Sequence, residues 1–431
     1  MRTQSLFLAV ACLVVSGPLL AQQPLRLTLA EAERLAIANN PQLGAAQFNA
    51  AAAAQIPFEV QASAQPLVSG AITAVGADSG SRLAAGGLNN PAVYNRIASG
   101  VTVSQLVTDF GRTRNLVEAS RSRGQAQGQL TNATRAQILL AVDRAYFGVL
   151  RAEAVLRVAE QTVAARQLVA DQIAALARAS LKSTLDVSFA NVNLADAKLL
   201  LSGARSNVDA SSADLASALG IPAQYETGGF VVASEPMLEP LADPLDALLR
   251  NALRDRPELA GLRLEQTAAQ QFARAEKDLS MPTVSVAAAV GLAPLADTQV
   301  RDRYGAVGVN VSIPLLNGHL FRARQAEADL RARAAGRNVD DLVNRVSRDV
   351  RVAWLNASNA WERLALTTQL LEQARLALDL SQRRYDLGLT SIVELSQAQL
   401  NVTGAEIAGA TARFDYQTRR AELSYQTGGL R

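Results

Sequence analysis

The chain has 431 residues, of which 49% are hydrophobic but only 4% aromatic, and its formal net charge is +3. Much of the apolar share is alanine, which suits long helices packed closely along their length better than the bulky core of a compact enzyme. One His and one Cys exclude a multi-ligand His/Cys metal site and a Cys/His catalytic pair, and Arg alternating with Asp and Glu reads as a solvated helical face, not a nucleic-acid surface.

Residues 1–21 have the pattern of a secretory signal peptide. Arg2 supplies the positive start, Leu6 to Val15 form an apolar core of ten residues, and Gly17-Pro18 break the helix before an expected cut after Ala21. Acylation at Cys12 is the weaker reading, because the apolar run continues past it. No later stretch reaches about 18 uncharged apolar residues, so no transmembrane helix is expected in the mature chain.

A first repeat, 22–220, opens with the capping box Thr28-Leu29-Ala30-Glu31, and Asn40-Pro41 ends one short helix and starts a second, which Pro66 closes. Period-two patterning from Leu67 to Val75 and from Val93 to Leu106 predicts two strands around a Gly, Ser and Asn-rich loop, Gly76 to Pro91. Asp109-Phe110-Gly111 turns into a helix from Arg112 to about Ala177. It reverses near Ala179 to Lys182 into a second long helix ending at Leu219-Gly220. Residues 221–240, with Gly228-Gly229, Pro236 and Pro240, read as a linker.

The second repeat, 241–431, follows the same plan. Asp243-Pro244 and Arg256-Pro257 start short helices, Thr283 to Leu292 and Tyr304 to Ile313 are strands, and Asn317-Gly318 leads into a long helix from about His319 to Leu387. Val350, Ala357, Leu364, Leu371, Leu378 and Tyr385 recur every seven residues, a spacing that keeps one stripe facing a partner helix. Subtracting 208 gives Val142, Val149, Leu156, Val163, Ala170 and Ala177, so the seam occurs twice in one register. The chain is a tandem duplication.

Strands alternating apolar with small or polar residues suit a barrel that faces lipid outside and water inside. Two strands per repeat give four per chain, too few to close a barrel, and an open edge is not tolerated in hydrocarbon. Membrane strands would therefore require several chains to share one barrel. The competing reading is a small sheet packed on helices in a soluble protein.

The chain resembles the TolC-type outer-membrane efflux protein family from Leu27 to its end. Leu106-Val107-Thr108-Asp109-Phe110-Gly111 and Pro314-Leu315-Leu316-Asn317-Gly318 are similar to the family's strand-to-helix turns, and Arg384-Tyr385-Asp386-Leu387-Gly388 through Ala398-Gln399 to its helix-tip segment. The resemblance implies a mixed membrane α/β fold: a homotrimer in which three sets of four strands form a 12-strand outer-membrane barrel, continued through the periplasm by a long α-helical coiled-coil barrel. It also implies a periplasmic adaptor and an inner-membrane pump as partners of a passive exit duct. The other reading is an exported coiled-coil spacer that never conducts. No enzyme constellation, cofactor or nucleic-acid partner is expected.

The same resemblance puts a closing mouth at the helix tips. Tyr385, Glu394 and Asp186 match the family's Tyr and two of its acids, whereas Thr390 stands where an Arg would be and Gln397 where another acid would be. Those departures put an inter-helix ion-pair lock in doubt. Capping-box spacing at Ser183 to Asp186 and at Ser391 to Glu394 offers both acids a purely local role, and Tyr385 lies on the packing seam. Adaptor contact is expected around Ser180, Leu181 and Lys182 and around Gly388, Leu389 and Ser391. Tyr94 and Tyr304 are candidate interfacial anchors. Trp354 and Trp361 read as packing residues, His319 as solvated, and Gly86-Gly87 as loop.

Overall fold

The computed structural model describes residues 25–76, 78, 96–221, 230–237, 239–294 and 302–430. The expected signal segment, Tyr94, Gly86-Gly87, Gly228-Gly229 and most of the first strand-pair loop lie outside those residues. In chain order the elements are β1 (Leu25–Leu27), α1 (Leu29–Asn39), α2 (Pro41–Ala53), α3 (Ile56–Ala62), β2 (Leu67–Val75), β3 (Arg96–Thr108), α4 (Arg112–Arg178) and α5 (Thr184–Ala218). Then come β4 (Phe230–Val232), α6 (Leu245–Asp255), α7 (Pro257–Lys277), β5 (Thr283–Leu292), β6 (Arg303–Ser312), α8 (Leu320–Asp386) and α9 (Ile392–Gln426).

Two helical hairpins dominate the molecule. α4 and α8 each have 67 residues and α5 and α9 each have 35, so the halves match in length as well as in register. At ~1.5 Å per residue the longer helices extend about 100 Å. Burial follows the heptad seam: Val142, Val149, Ala170, Val350, Ala357 and Tyr385 are buried, and Leu156, Val163, Leu364, Leu371 and Leu378 are half-buried. Alanine at many of these positions lets neighbouring backbones approach closely. α7 packs on both α4 and α8, while α5 and α9 pack on the long helix that precedes each of them. No helix among the described residues is long and apolar enough to cross a membrane.

The four longer strands form one antiparallel sheet in the order β2-β3-β5-β6, so the central β3–β5 pairing joins the two halves. Its register separates two chemistries. Residues directly opposite one another share a face, and pairs such as Val68 with Val103, Val101 with Val290, and Val286 with Val309 put aliphatic side chains on one side. The other side carries Ser69, Thr102, Ser104, Ser285, Asn310 and Ser312. The hydroxyls of Ser69 and Thr102 hydrogen-bond across it at 2.8 Å. Among the described residues the aliphatic face is uncovered: Ile72 is 82% exposed, Val307 79% and Val309 68%.

Tyr304 departs from its expected role as an interfacial anchor. It pairs with Gly291 and so lies on the small, polar face, where its ring crosses Gly291 and its hydroxyl reaches Gly100. A Cβ at either glycine would collide with that ring, which is why two glycines stand opposite each other there.

The expected single helix from Pro41 to Pro66 is in fact two. α2 stops at Ala53 and α3 restarts at Ile56, because Pro57 lacks the N–H needed to continue the ladder and its ring crowds the carbonyl one turn back.

The stretch expected as a linker is pinned down where it is described. β4 pairs in parallel with β1, and the buried Tyr146 hydroxyl donates to the Ala233 carbonyl at 2.7 Å. α9 then holds the following residues. Arg413 donates to the Glu235 carbonyl, Gln417 Nε2 to the Pro236 carbonyl and the Tyr416 hydroxyl to the Glu239 carbonyl, at 3.0, 3.0 and 2.6 Å. Trp361 packs at a tilt against Tyr416 with ring centroids 5.0 Å apart, and Trp354 packs against the α6–α8 cluster. We call residues 233–237 together with Glu239 the strap, and its level on the helices the waist.

Candidate functional site

Two turns at the far end of the hairpins, 208 residues apart, bring the expected tip residues together. Gly388 adopts φ 73° and Ser180 φ 61°, and each turn closes by a bond back to the preceding helix: Leu389 N–H to the Arg384 carbonyl at 2.8 Å, Leu181 N–H to the Leu176 carbonyl at 2.9 Å. Both are the left-handed stop that frees a helix to reverse, and glycine adopts it without a Cβ clash. Ser180 does the same work without that freedom.

The two expected capping boxes part ways. In the first, Asp186 N–H donates to Ser183 Oγ at 3.2 Å and Ser183 N–H to Asp186 Oδ2 at 3.0 Å, so Asp186 starts its helix. In the second, Ser391 makes no side-chain cap. Glu394 instead accepts from the Thr390 hydroxyl and pairs with Arg384 at 3.1 Å. Arg384 was not among the expected site residues, although it lies one position before Tyr385 in the tip motif. Arg384 lies at the end of α8, so this ion pair is formed within one hairpin.

Tyr385 is buried on the seam among Ile173, Ala190, Leu194, Ile392 and Leu395. Its hydroxyl is buried without a hydrogen-bond partner. Burial, and secondarily the nearby Asp186 and Asp386 charges, push the phenol up to about 12, so it stays neutral at physiological pH. Lys182 Nζ lies 3.6 Å from the centre of the Tyr385 ring. Lys182, expected as an adaptor contact, thus joins the turn of the first hairpin to the seam of the second. Ser396 and Asn193 add a hydrogen bond of 2.9 Å between α9 and α5. Gln397 stands apart, exposed and bonded to Asn401 along its own helix.

The outermost surface of both tips is apolar. Leu181, Leu185, Leu389 and Val393 are 69%, 62%, 66% and 53% exposed, and the pairs are equivalent under the duplication. Leu185 and Val393 were not singled out from sequence, since a capping-box reading draws attention to the polar residues around them.

With the sheet, the hairpins and the tip described, comparison with known proteins gives one answer. The outer membrane efflux protein family model matches residues 33–221 and 248–429. Outer membrane protein TolC of Escherichia coli (strain K12) is 23% identical over 361 residues, covering 80% of this chain and 71% of TolC. Among solved structures, CusC superposes with a TM-score of 0.83 at 17% identity, covering 93% of this chain and 92% of CusC. The outer-membrane channel OprN gives 0.80 at 20% identity, covering 93% and 90%. The sheet is therefore the outer-membrane part of a channel, the hairpins are its periplasmic extension, and the chain belongs to the outer membrane efflux protein family.

Proposed function

We propose that three copies of this chain share one barrel and act as the passive exit duct of a tripartite efflux or secretion system, recruited by a periplasmic adaptor and an inner-membrane pump. The observation that carries the shared barrel is that, among the described residues, the edges on β2 and β6 are unpaired. In hydrocarbon each unpaired N–H and C=O costs several kcal/mol, so the edges must find partners. Strands alternate in direction across the sheet, so β2 and β6 run in opposite senses and can continue the antiparallel ladder between copies. Three sets of four strands then give twelve. The aliphatic face turns to lipid and the Ser, Thr and Asn face to the water-filled bore.

The helix tips form the mouth. Lys182 on Tyr385 holds hairpin to hairpin, and Arg384 with Thr390 holds Glu394. Three copies of Glu394 and Asp186 would ring a narrow opening and favour cations. The exposed Leu181, Leu185, Leu389 and Val393 would seat the adaptor, beside Ser180, Gly388 and Ser391 at the turns.

The chain carries only one cysteine, Cys12 in the leader, so introduced cysteines can be read cleanly. A cysteine on β2 at Ser69, combined with cysteines stepped along β6, is expected to give covalent trimers at one register. Absence of intermolecular bonds at every β6 position, in protein recovered from the outer membrane, would overturn the shared barrel.

A further inference from the structure

The waist contains a group that conduction does not use. Asp143 lies on α4 just before Tyr146, at 3% exposure, and its Oδ1 has no hydrogen-bond partner. Glu33 on α1 comes within hydrogen-bonding reach of the same carboxyl. Both line a cavity of about 310 Å³ with Leu29, Phe147, Glu235 and Gln417. Gln417 is 2% exposed, and because its Nε2 donates to the Pro236 carbonyl, its Oε1 is left without a donor.

Arg420 lines the same cavity, but among the described residues no ion pair ties a cation to either carboxyl. On α9, Arg420 donates to the Glu239 carbonyl and the Tyr416 hydroxyl, and Arg413 donates to the Glu235 carbonyl. Glu235 of the strap accepts from Leu29 N–H, while Glu31 on α1 is taken up by the Thr28 cap. Tyr146 on α4 is bonded to the strap. Among the described residues, no three of His, Cys, Asp and Glu converge closely enough to hold a metal ion. Asp143 is buried and Glu33 half-buried beside it, and a carboxylate brought out of water next to a second one keeps its proton more tightly.

We propose that Asp143 and Glu33 form a proton-operated clasp: while they share a proton they hold α1, and with it β1, on α4, and raising the pH loosens the waist. Burial first, then the Glu33 charge, push Asp143 up to about 8 from the ordinary Asp range, so the weakening spans that interval. The sign follows from the raised value. The closed clasp binds one proton more than the open one between the ordinary Asp range near 4 and about 8. Its strength is therefore full below about pH 4, falls as pH rises through that window, and levels off above about 8. Within the window, opening becomes about tenfold easier per pH unit.

The test is amide hydrogen exchange over β1 and residues 230–237 in the full chain in detergent, for the wild type and Asp143→Asn, from about pH 5 to about pH 9. Taking the ratio of the two proteins cancels the intrinsic pH dependence of exchange. The expected result is a wild-type opening that gains about tenfold per pH unit over the variant and then stops gaining near about pH 8. A ratio that does not change with pH overturns the clasp. If Asp143→Asn does not fold, Glu33→Gln serves in its place. Removing its charge should shift the wild-type pH dependence toward lower sensitivity, and an unchanged profile overturns the proposal equally.

Discussion

Glu394 has two side-chain partners, and neither is the backbone cap that its spacing suggests. Arg384 and Glu394 keep 55% and 42% of their side chains exposed, so the pair contributes at most about 1 kcal/mol. Glu394→Gln is accordingly expected to leave the melting temperature almost unchanged while weakening block by divalent cations, most clearly together with Asp186→Asn. Unchanged block in a folded double variant would remove the acidic ring from the account. Tyr385 behaves oppositely. Its unpartnered hydroxyl contributes little, so Tyr385→Phe should be close to neutral, whereas Tyr385→Ala empties the seam and should cost about 3–5 kcal/mol in a denaturation series. Lys182→Gln removes the charge over that ring, worth about 1 kcal/mol, and conductance traces should show longer openings. None of these pairings is legible from local spacing. A capping box and an ion pair use the same acid, and the choice depends on whether a helix end such as Arg384 is brought alongside.

At the scale of elements, equivalent positions in the two halves differ in ways that make predictions. Ser180 holds the left-handed conformation that Gly388 supplies in the other hairpin. Ser180→Gly should therefore stabilise the first hairpin by about 1 kcal/mol in thermal melts, and Gly388→Ala should destabilise the second by a similar amount. Gly291→Val drives a side chain into Tyr304 and should lower the yield of folded barrel in outer-membrane fractions. The long hairpins and strand pairs were readable because each repeats one simple period over many residues. The heptad from Val142 to Ala177 and from Val350 to Tyr385 places the seam, and alternation from Val307 to Ile313 places a strand. Shorter features were not readable. β1 and β4 have three residues each, too few to show a period, and they exist because Tyr146 and α9 fix the strap beside them. Pro57 was a visible breaker, but the alanine-rich run before it imitated one continuous helix. The face taken by Tyr304 is set by pairing parity with Gly291, which depends on register and not on residue type.

For the molecule as a whole, duplication explains the architecture. Two copies of one plan meet at β3 and β5, so four strands form one sheet and two hairpins run side by side beneath it. Among the described residues that sheet leaves aliphatic side chains and two strand edges uncovered, which a bilayer tolerates on the face but not at the edges. The most direct measurement is the native mass of the protein extracted from separated outer membranes, by light scattering with the detergent contribution subtracted. A mass of three chains is the predicted result, and it would close a barrel of three times four strands. A stable single chain from the same fraction would contradict the account, because its edges would then lie unpaired in lipid.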